Sequence, residues 1–437
     1  MDILIKGSQL LMSLSILVIL HELGHFIPAK LFKTRVEKFY LFFDPWFSII
    51  KKKVGETEYG IGWLPLGGYV KISGMIDESM DKEQMKKPAE SWEFRAKPTW
   101  QRLIIMLGGV TVNLILGVII YSMVLLVWGD SYLSNKNVVN GVLCSDFAQE
   151  IGFQHGDKIL TIDGVSQERF VDINQNMVLR DKPFIVKVER DDRTVEIKIG
   201  DNFIKYWKNS GKKLLFSPLI PVKVGDFSTN SNAQKAGLLR GDYLISVNNV
   251  KTPFFNNFRE ELKKNVLNTI DIGVLRDGSI LTLPVEVSKE GTIGFANDSE
   301  LILDVKTFNF ISCLPAGYNM AVNKLSGYIS QFALVFNSEN ELSGEIGGFG
   351  AIGNLFPSTW NWQAFWSLTA FLSLMLAFLN LLPIPALDGG HVMFLLYEII
   401  AGKPAPEKVL EYAQAIGMIL LLGLLIFANG NDILKLF

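Results

Sequence analysis

From Leu103 to Trp128 the chain carries no charged residue. A helix that is apolar on every side must be buried all round, and at about 1.5 Å per residue this run is long enough to cross the ~30 Å hydrocarbon core of a bilayer. Three further stretches read as spans: Ile3 to Ile27, Phe365 to Leu387 within the charge-free interval between Glu345 and Asp388, and Tyr412 to Ala428. Composition agrees. The 437 residues are 49% hydrophobic with a mean hydropathy of +0.26, too apolar for an ordinary soluble chain, yet 20% are charged, too many for one lying wholly in a membrane. Spans joined to soluble domains are therefore expected. The net charge of −2 gives no basis for a nucleic-acid partner. Cys144 and Cys313 stand far apart and outside any C-x-x-C pattern, so they suggest neither a thiolate metal site nor a disulfide scaffold, with a single bridge left open. The first segment lacks a small-residue cleavage site and reads as a retained span, not a leader.

Lysine and arginine orient the spans. Pro28 to Arg102 holds 14 basic against 10 acidic residues, with Lys30, Lys33, Arg35 and Lys38 after the first span and Arg95, Lys97 and Arg102 before the second. That loop is expected on the cytoplasmic side and the N-terminus outside. The third span then runs in the same direction as the first, which brings His25 and Asp388 to one depth near the inner surface.

The first span ends in His21-Glu-Leu-Gly-His25. Residues four apart on a helix share a face, so His21 and His25 can hold one Zn²⁺, and Glu22 can take a proton from the water that such an ion activates. Two of the chain's four histidines flank a glutamate there. Polar groups near the inner end of a span are costly, by about 2.5–3.5 kcal/mol for a charge at the bilayer centre, and mark function by default. The bland reading is a set of interfacial polar residues. The third ligand comes from Asn380-Leu-Leu-Pro-Ile-Pro-Ala-Leu-Asp388-Gly-Gly-His391, where Pro383 and Pro385 break the helix. Asp388 is the preferred ligand because a carboxylate completes a His₂-carboxylate catalytic set, with His391 the rival. Asn380 could hydrogen-bond a substrate backbone or serve only interhelical packing.

Inside the first loop, Glu58 to Ser73 reads as two β-prone runs hinged at Gly67-Gly68. The residues alone leave two alternatives open. A hairpin dipping toward the bilayer would put a strand edge, with Gly67, Gly68 and Tyr69, beside the metal, where an extended peptide could add to it. The other alternative is an ordinary soluble hairpin. Asp77 to Glu93 reads as solvated helix or linker.

Beyond Gly129 the character becomes soluble α+β, and a repeat appears: Ala148 to Val165 aligns with Ala233 to Val250, 85 residues on. Each copy predicts a short helix, a Gly-Asp turn, a strand (Lys158–Ile162, Tyr243–Val247) and a tight turn at Asp163-Gly164 or Asn248-Asn249. The pattern looks like the core of a PDZ domain, a fold that binds extended peptides by strand addition, with bulky spacing as the bland alternative. His155, matched by Arg240, reads as a surface residue. Ile311 to Phe336 predicts an amphipathic helix on the outer membrane surface or against a PDZ module, and Gly344 to Gly350 a close-packing loop.

In this order, the His21-Glu22-x-x-His25 motif, Pro65-Leu-Gly-Gly-Tyr-Val-Lys71, Trp100-Gln-Arg102, Gly109-x-x-x-Asn113, the paired repeat and Asn380 to His391 resemble the site-2 protease family of intramembrane zinc metalloproteases, in its regulator-of-sigma-E protease branch. The resemblance implies zinc ligands at His21, His25 and Asp388, a general base at Glu22, a membrane-associated β-hairpin over Gly60 to Ser73, and an asparagine near the substrate at Asn380. It implies substrates among single-span membrane proteins, such as trimmed anti-sigma factors and remnant signal peptides, an inner-membrane location and two periplasmic PDZ domains. One departure stands out: Val110 occupies a position that is often proline in the family, which predicts altered bending of the second span.

The expected architecture is thus a multi-pass α-helical membrane protein with four spans, a membrane-associated β-hairpin and two α+β PDZ domains. Its parts are 1–128 (first two spans and loop), 129–213 and 214–300 (the PDZ pair), 301–360 (a linker with the amphipathic helix) and 361–437 (the last two spans). The rival function is a membrane-anchored PDZ adaptor with a structural metal site. A transporter has little support, since no membrane half is repeated.

Overall fold

The apolar runs fold into long helices because a backbone without water must satisfy its own hydrogen bonds. In the computed structural model, which describes residues 2–65, 67–75, 88–180, 182–211, 214–298, 301–336 and 347–434, they are α1 (Asp2–Leu31), α2 (Thr99–Trp128), α4 (Trp362–Leu381) and α6 (Glu407–Leu434). Among the described residues these four are long and apolar enough to cross a membrane. Between them in sequence lie α3 (Phe310–Phe336) and α5 (Asp388–Ala401). The chain divides into one unit of Met1–Asp130 with Thr307–Phe437 and a second of Ser131–Lys306.

In the first unit, small residues let the helices touch. A Cβ on Gly24 would sit 2.5 Å from the Gly108 carbonyl oxygen, and one on Gly108 only 1.9 Å from that of Gly24, so the backbones of α1 and α2 are in contact. Gly117 receives Leu374 of α4, and Gly317 of α3 receives Ser122. Polar side chains tie the same helices: Ser373 Oγ donates to the Asn113 carbonyl at 2.8 Å and Thr369 Oγ1 to Ser13 Oγ at 3.0 Å. Expected as an amphipathic surface helix, α3 packs instead against the spans, burying Ala321 with Ile120, Val124 and Leu374. Its Tyr328 meets Phe371 and Phe378 edge-on. Through Val110, α2 continues as a single helix.

Two expectations need correction. The third span ends at Leu381, not Leu387. Leu382, which precedes Pro383, adopts ψ 143°, the extended conformation that a following proline ring imposes. The chain then re-enters a helix at Asp388. The membrane-associated β-hairpin is also not one: the runs over Gly60 to Ser73 belong to a four-stranded sheet. Its strands are β1 (Val36–Leu41), β2 (Phe43–Val54), β3 (Thr57–Leu64) and β4 (Tyr69–Ile72), in the order β2-β3-β1-β4. β1 lies between the two expected partners, parallel to β3 and antiparallel to β4, because a long-range pairing won over the local one. Leu66, residues 76–87 of the charged segment and residues 344–346 of the glycine-rich run lie outside the described residues. Glu93, at the end of that charged segment, is buried against Arg95 at 2.6 Å.

The second unit contains the repeat as two copies with the same order of elements. Lys158–Ile162 and Tyr243–Val247 are strands. Each is flanked by a two-residue strand and by a longer antiparallel pair, Phe184–Arg190 with Arg193–Ile199 and Thr269–Arg276 with Ser279–Glu286. The tight turns have positive φ at both central residues, 48° and 77° in one copy and 47° and 65° in the other, the conformation that a two-residue hairpin demands. Phe216–Pro218 pairs with Val142–Cys144, so the first copy runs on past position 213. Exposed His155 accepts the Cys144 N–H at 3.0 Å, and both cysteines are free.

The structure explains the Gly-Asp of the repeat. Gly156 and Gly241 sit at φ 92° and 94°, where a side chain would be strained. The aspartates that follow are buried, and each takes a two-pronged arginine: Arg190 to Asp157 at 2.7 and 2.8 Å, and Arg276 to Asp242 at 2.7 and 2.6 Å. Burial raises the Asp242 carboxyl, but the Arg276 and Leu239 hydrogen bonds and the Arg276 charge outweigh it and hold the group below the usual range. Its stabilisation is therefore fully present above the unfolded carboxylate pKa of ~3.9 and lost as pH falls through the lower folded value. Asp242→Asn strands a guanidinium and is expected to cost the second copy about 3 kcal/mol. Hydrogen-exchange protection of residues 224–286 in the intact protein should fall at neutral pH in that variant, and in the parent only on strong acidification.

Candidate metal centre

His21 and His25 lie one turn apart on the buried face of α1, and Asp388 opens α5 immediately after the proline loop. The elements converge so that three donor atoms form a nearly equilateral triangle. His25 Nε2 is 3.3 Å from His21 Nε2, and Asp388 Oδ2 is 3.4 Å from His21 Nε2 and 3.3 Å from His25 Nε2. An ion about 2.0–2.1 Å from each of its tetrahedral ligands keeps those ligand atoms about 3.3 Å apart. Asp388 Oδ2 is buried and has no hydrogen-bond donor, although burying a carboxylate oxygen unpaired is costly. A cation at the centre of the triangle would satisfy it, so the residues present fit zinc. Among the described residues no other group of three or more His, Cys, Asp and Glu side chains converges in this way.

The imidazoles are set by α2. His25 Nδ1 is 2.8 Å from the Ile105 carbonyl. A carbonyl can only accept, so Nδ1 carries the proton and Nε2 offers its lone pair toward the triangle. Asn113 reaches His21 Nδ1 at 3.1 Å. A His21 that ligates through Nε2 carries its proton on Nδ1, and the Asn113 amide, whose Oδ1 has no other partner, can turn that oxygen to accept it. Gly109 makes the space: a Cβ there would be 2.4 Å from His25 Nε2 and 2.6 Å from His21 Cε1. Ile105, Gly109 and Asn113 recur every four residues on one helix face. The i, i+4 spacing of Gly109 and Asn113 was the available signal for this shelf, and the roles of Ile105, Gly109 and Asn113 were not read from it.

The remaining expected residues fall as follows. Glu22 follows His21 directly on α1. Gly68 lies against α1, where a Cβ would be 2.5 Å from Val18 and 3.5 Å from Glu22 Cγ. Gly67, at φ 151°, faces the Phe43 ring. Tyr69 stacks on Tyr40 at 5.3 Å and donates to Asp44 Oδ1 at 2.7 Å. Burial and that bond push its phenol well above the usual range, so it stays a neutral donor. Asn380 Nδ2 is 3.3 Å from His21 Nε2. His391, the rival ligand, is not in the triangle; it lines a separate cavity of about 310 Å³ with Arg95, Arg102 and Glu398.

Gly109→Ala should therefore lower zinc affinity by about tenfold or more, read as zinc retained by purified protein against a graded chelator. Gly423→Ala, which meets open space, should leave it unchanged.

Comparison with known proteins agrees with this chemistry. A putative zinc metalloprotease of Vibrio cholerae is 27% identical over 467 residues, covering all of both chains. The regulator of sigma E protease of Haemophilus influenzae is 27% identical over 465 residues, and the protease RseP of Yersinia pestis 26% over 468, again covering all of each chain. The sequence model of peptidase family M50 matches residues 9–424. With the match spanning both arms of the triangle, the chain belongs to peptidase family M50, the site-2 protease family of zinc metalloendopeptidases acting in membranes.

Proposed function

We propose that this protease cuts single-span membrane proteins within their membrane segment, with His21, His25 and Asp388 holding zinc and Glu22 moving the proton. The observation that carries the reading is the triangle of Nε2, Nε2 and Oδ2 atoms at ligand spacing, its carboxylate oxygen otherwise unpartnered and Glu22 beside it.

When bound, the ion supplies Lewis acidity to the scissile carbonyl and acidifies the attacking water. Glu22 accepts the water's proton and returns it to the leaving amine. Ile105 and Asn113 keep the two imidazoles in the ligating tautomer. A peptide bond inside a helix is shielded by its own turn, so the substrate must be extended locally. β4 is an edge of its sheet, and its approach at Gly68 abuts Glu22. An unwound substrate adding to that edge would make main-chain hydrogen bonds and pass the ring of His21, where Asn380 can donate to its backbone.

The finer assignments belong to the same proposal. The two copies in the second unit act as PDZ domains on the outer side of the inner membrane, with the site near the cytoplasmic side. They admit substrates whose outer domains have been trimmed, such as anti-sigma factors and remnant signal peptides. Repeated element order supports the PDZ reading, and the basic flanks of the first loop support the orientation. Against a PDZ adaptor with a structural zinc stands the size of the ligand set: structural sites usually have four protein ligands, and among the described residues three converge.

Glu22→Gln in the full chain should reduce cleavage of a single-span reporter by about 10²–10⁴-fold while zinc content stays at one per chain. Undiminished cleavage by that variant would remove Glu22 from the mechanism.

A further inference from the structure

The residues just before Asp388 are held in an unfavourable shape. Ala386 has φ 79°, a left-handed conformation that its Cβ disfavours. Inside the loop the Leu387 N–H donates to Ile384 O at 3.1 Å, closing a turn with Pro385 and Ala386 at its centre, the kind that sets a positive φ at its second central residue but normally puts glycine there. Pro383 and Pro385 have no N–H, and the amides of Ile384 and Leu387 are taken by Leu382 and Ile384 within the loop. The Ala386 N–H instead leaves the loop and donates to Gln414 Oε1 of α6 at 3.1 Å.

Gln414, which also lines the cavity beside His391, is turned inward toward this contact. It is 7% exposed, while Ile416 and Ile419 on the same helix are 64% and 71% exposed. One turn further on, Gly417 lets α6 press against the loop: a Cβ there would lie 1.9 Å from the Pro385 carbonyl oxygen. The loop in turn clamps the first turn of α5, since a Cβ on Gly389 would sit 2.2 Å from Leu382 O and one on Gly390 2.5 Å from Ile384 O. The far end of α6 is also fixed, with Asp432 Oδ2 accepting the Gly348 and Ala351 amides at 3.0 and 2.9 Å. The helix is thus a fixed post from which one side-chain amide reaches the strained corner.

We infer that Gln414 is a positioning residue for the metal centre, its carbonyl pinning Ala386 in the left-handed conformation that aims the Asp388 carboxylate at His21 and His25. The inference rests on the proposed ligand set. Without the acceptor, the part-buried Ala386 amide loses its partner, and the corner relaxes toward negative φ. Asp388, two residues on, rotates with it and leaves the triangle. The dependence comes from the alanine: a glycine at 386 holds the same φ without strain.

The test reads zinc affinity of the full chain by chelator competition. Gln414→Leu should weaken it by about tenfold. Gln414→Glu, which keeps an acceptor oxygen, should stay near the parent. Ala386→Gly combined with Gln414→Leu should regain most of the loss. Unchanged affinity in Gln414→Leu overturns the inference, and so does a loss that neither Gln414→Glu nor Ala386→Gly avoids, which marks general damage. His21→Ala and Asp388→Ala separate this from the ligand assignment: if they keep parental affinity, the ligand set itself is wrong, whereas their loss beside an unaffected Gln414→Leu refutes the positioning role alone.

Discussion

Contact between two backbones, at Gly24 of α1 and Gly108 of α2, is the constraint on which the rest depends. Lipid chains are as apolar as leucine, so helices in a bilayer gain little by hiding apolar surface from one another and rely on close packing and hydrogen bonds. Here closeness also has a chemical result. With the helices touching, one face of α2 supplies the Ile105 carbonyl to His25, room for both rings at Gly109, and the Asn113 amide to His21. A side chain at any of these glycines would separate the helices or displace a ring. Packing and ligand geometry are therefore one requirement, not two.

The second arm is set differently. Asp388 does not ride on a long helix but follows a loop in which prolines have removed two amides and glycines admit close backbone contacts. Holding a non-glycine residue at positive φ costs on the order of 1–3 kcal/mol. Such strain persists only where surrounding contacts over-determine it, and here they come from the turn's own Leu387 to Ile384 hydrogen bond, from the first turn of α5 and from α6.

Much of this was legible in the sequence wherever the signal was local. Charge-free runs marked the helices, spacing of four marked His21 and His25, and the Gly-Asp repeat marked strands at Lys158–Ile162 and Tyr243–Val247 with their observed bounds. What escaped was long-range. The parallel pairing of β1 with β3 has no local signature, and no strand was expected where β2 lies. The prolines announced a break, but nothing local announced that a new helix would start at Asp388 itself. Ala386 gave no hint of its φ, since alanine is not a residue associated with left-handed turns. The arginines that neutralise Asp157 and Asp242 stand on strands some 33 or 34 residues away, beyond the reach of any motif.

Three lone-pair donors facing one another in a buried setting raise the question of why the fold tolerates them. Left alone, the triangle would bury an unpaired carboxylate oxygen against two nitrogens, each costing the free energy of a polar group taken from water without a partner, roughly 2–7 kcal/mol. Protonating one imidazole would pair it with the carboxylate, but would leave a buried ion pair, whose desolvation is costly, and the second nitrogen still unsatisfied. A divalent cation relieves all three at once, and its binding, about 10–16 kcal/mol for structural zinc sites near neutral pH, exceeds the strain at Ala386 several-fold. The strained corner is therefore affordable when the ion is present, and the same arithmetic says that the ion and the geometry hold each other in place. Glu22 lies outside the ligand triangle, which leaves it free to exchange protons while its neighbours stay fixed.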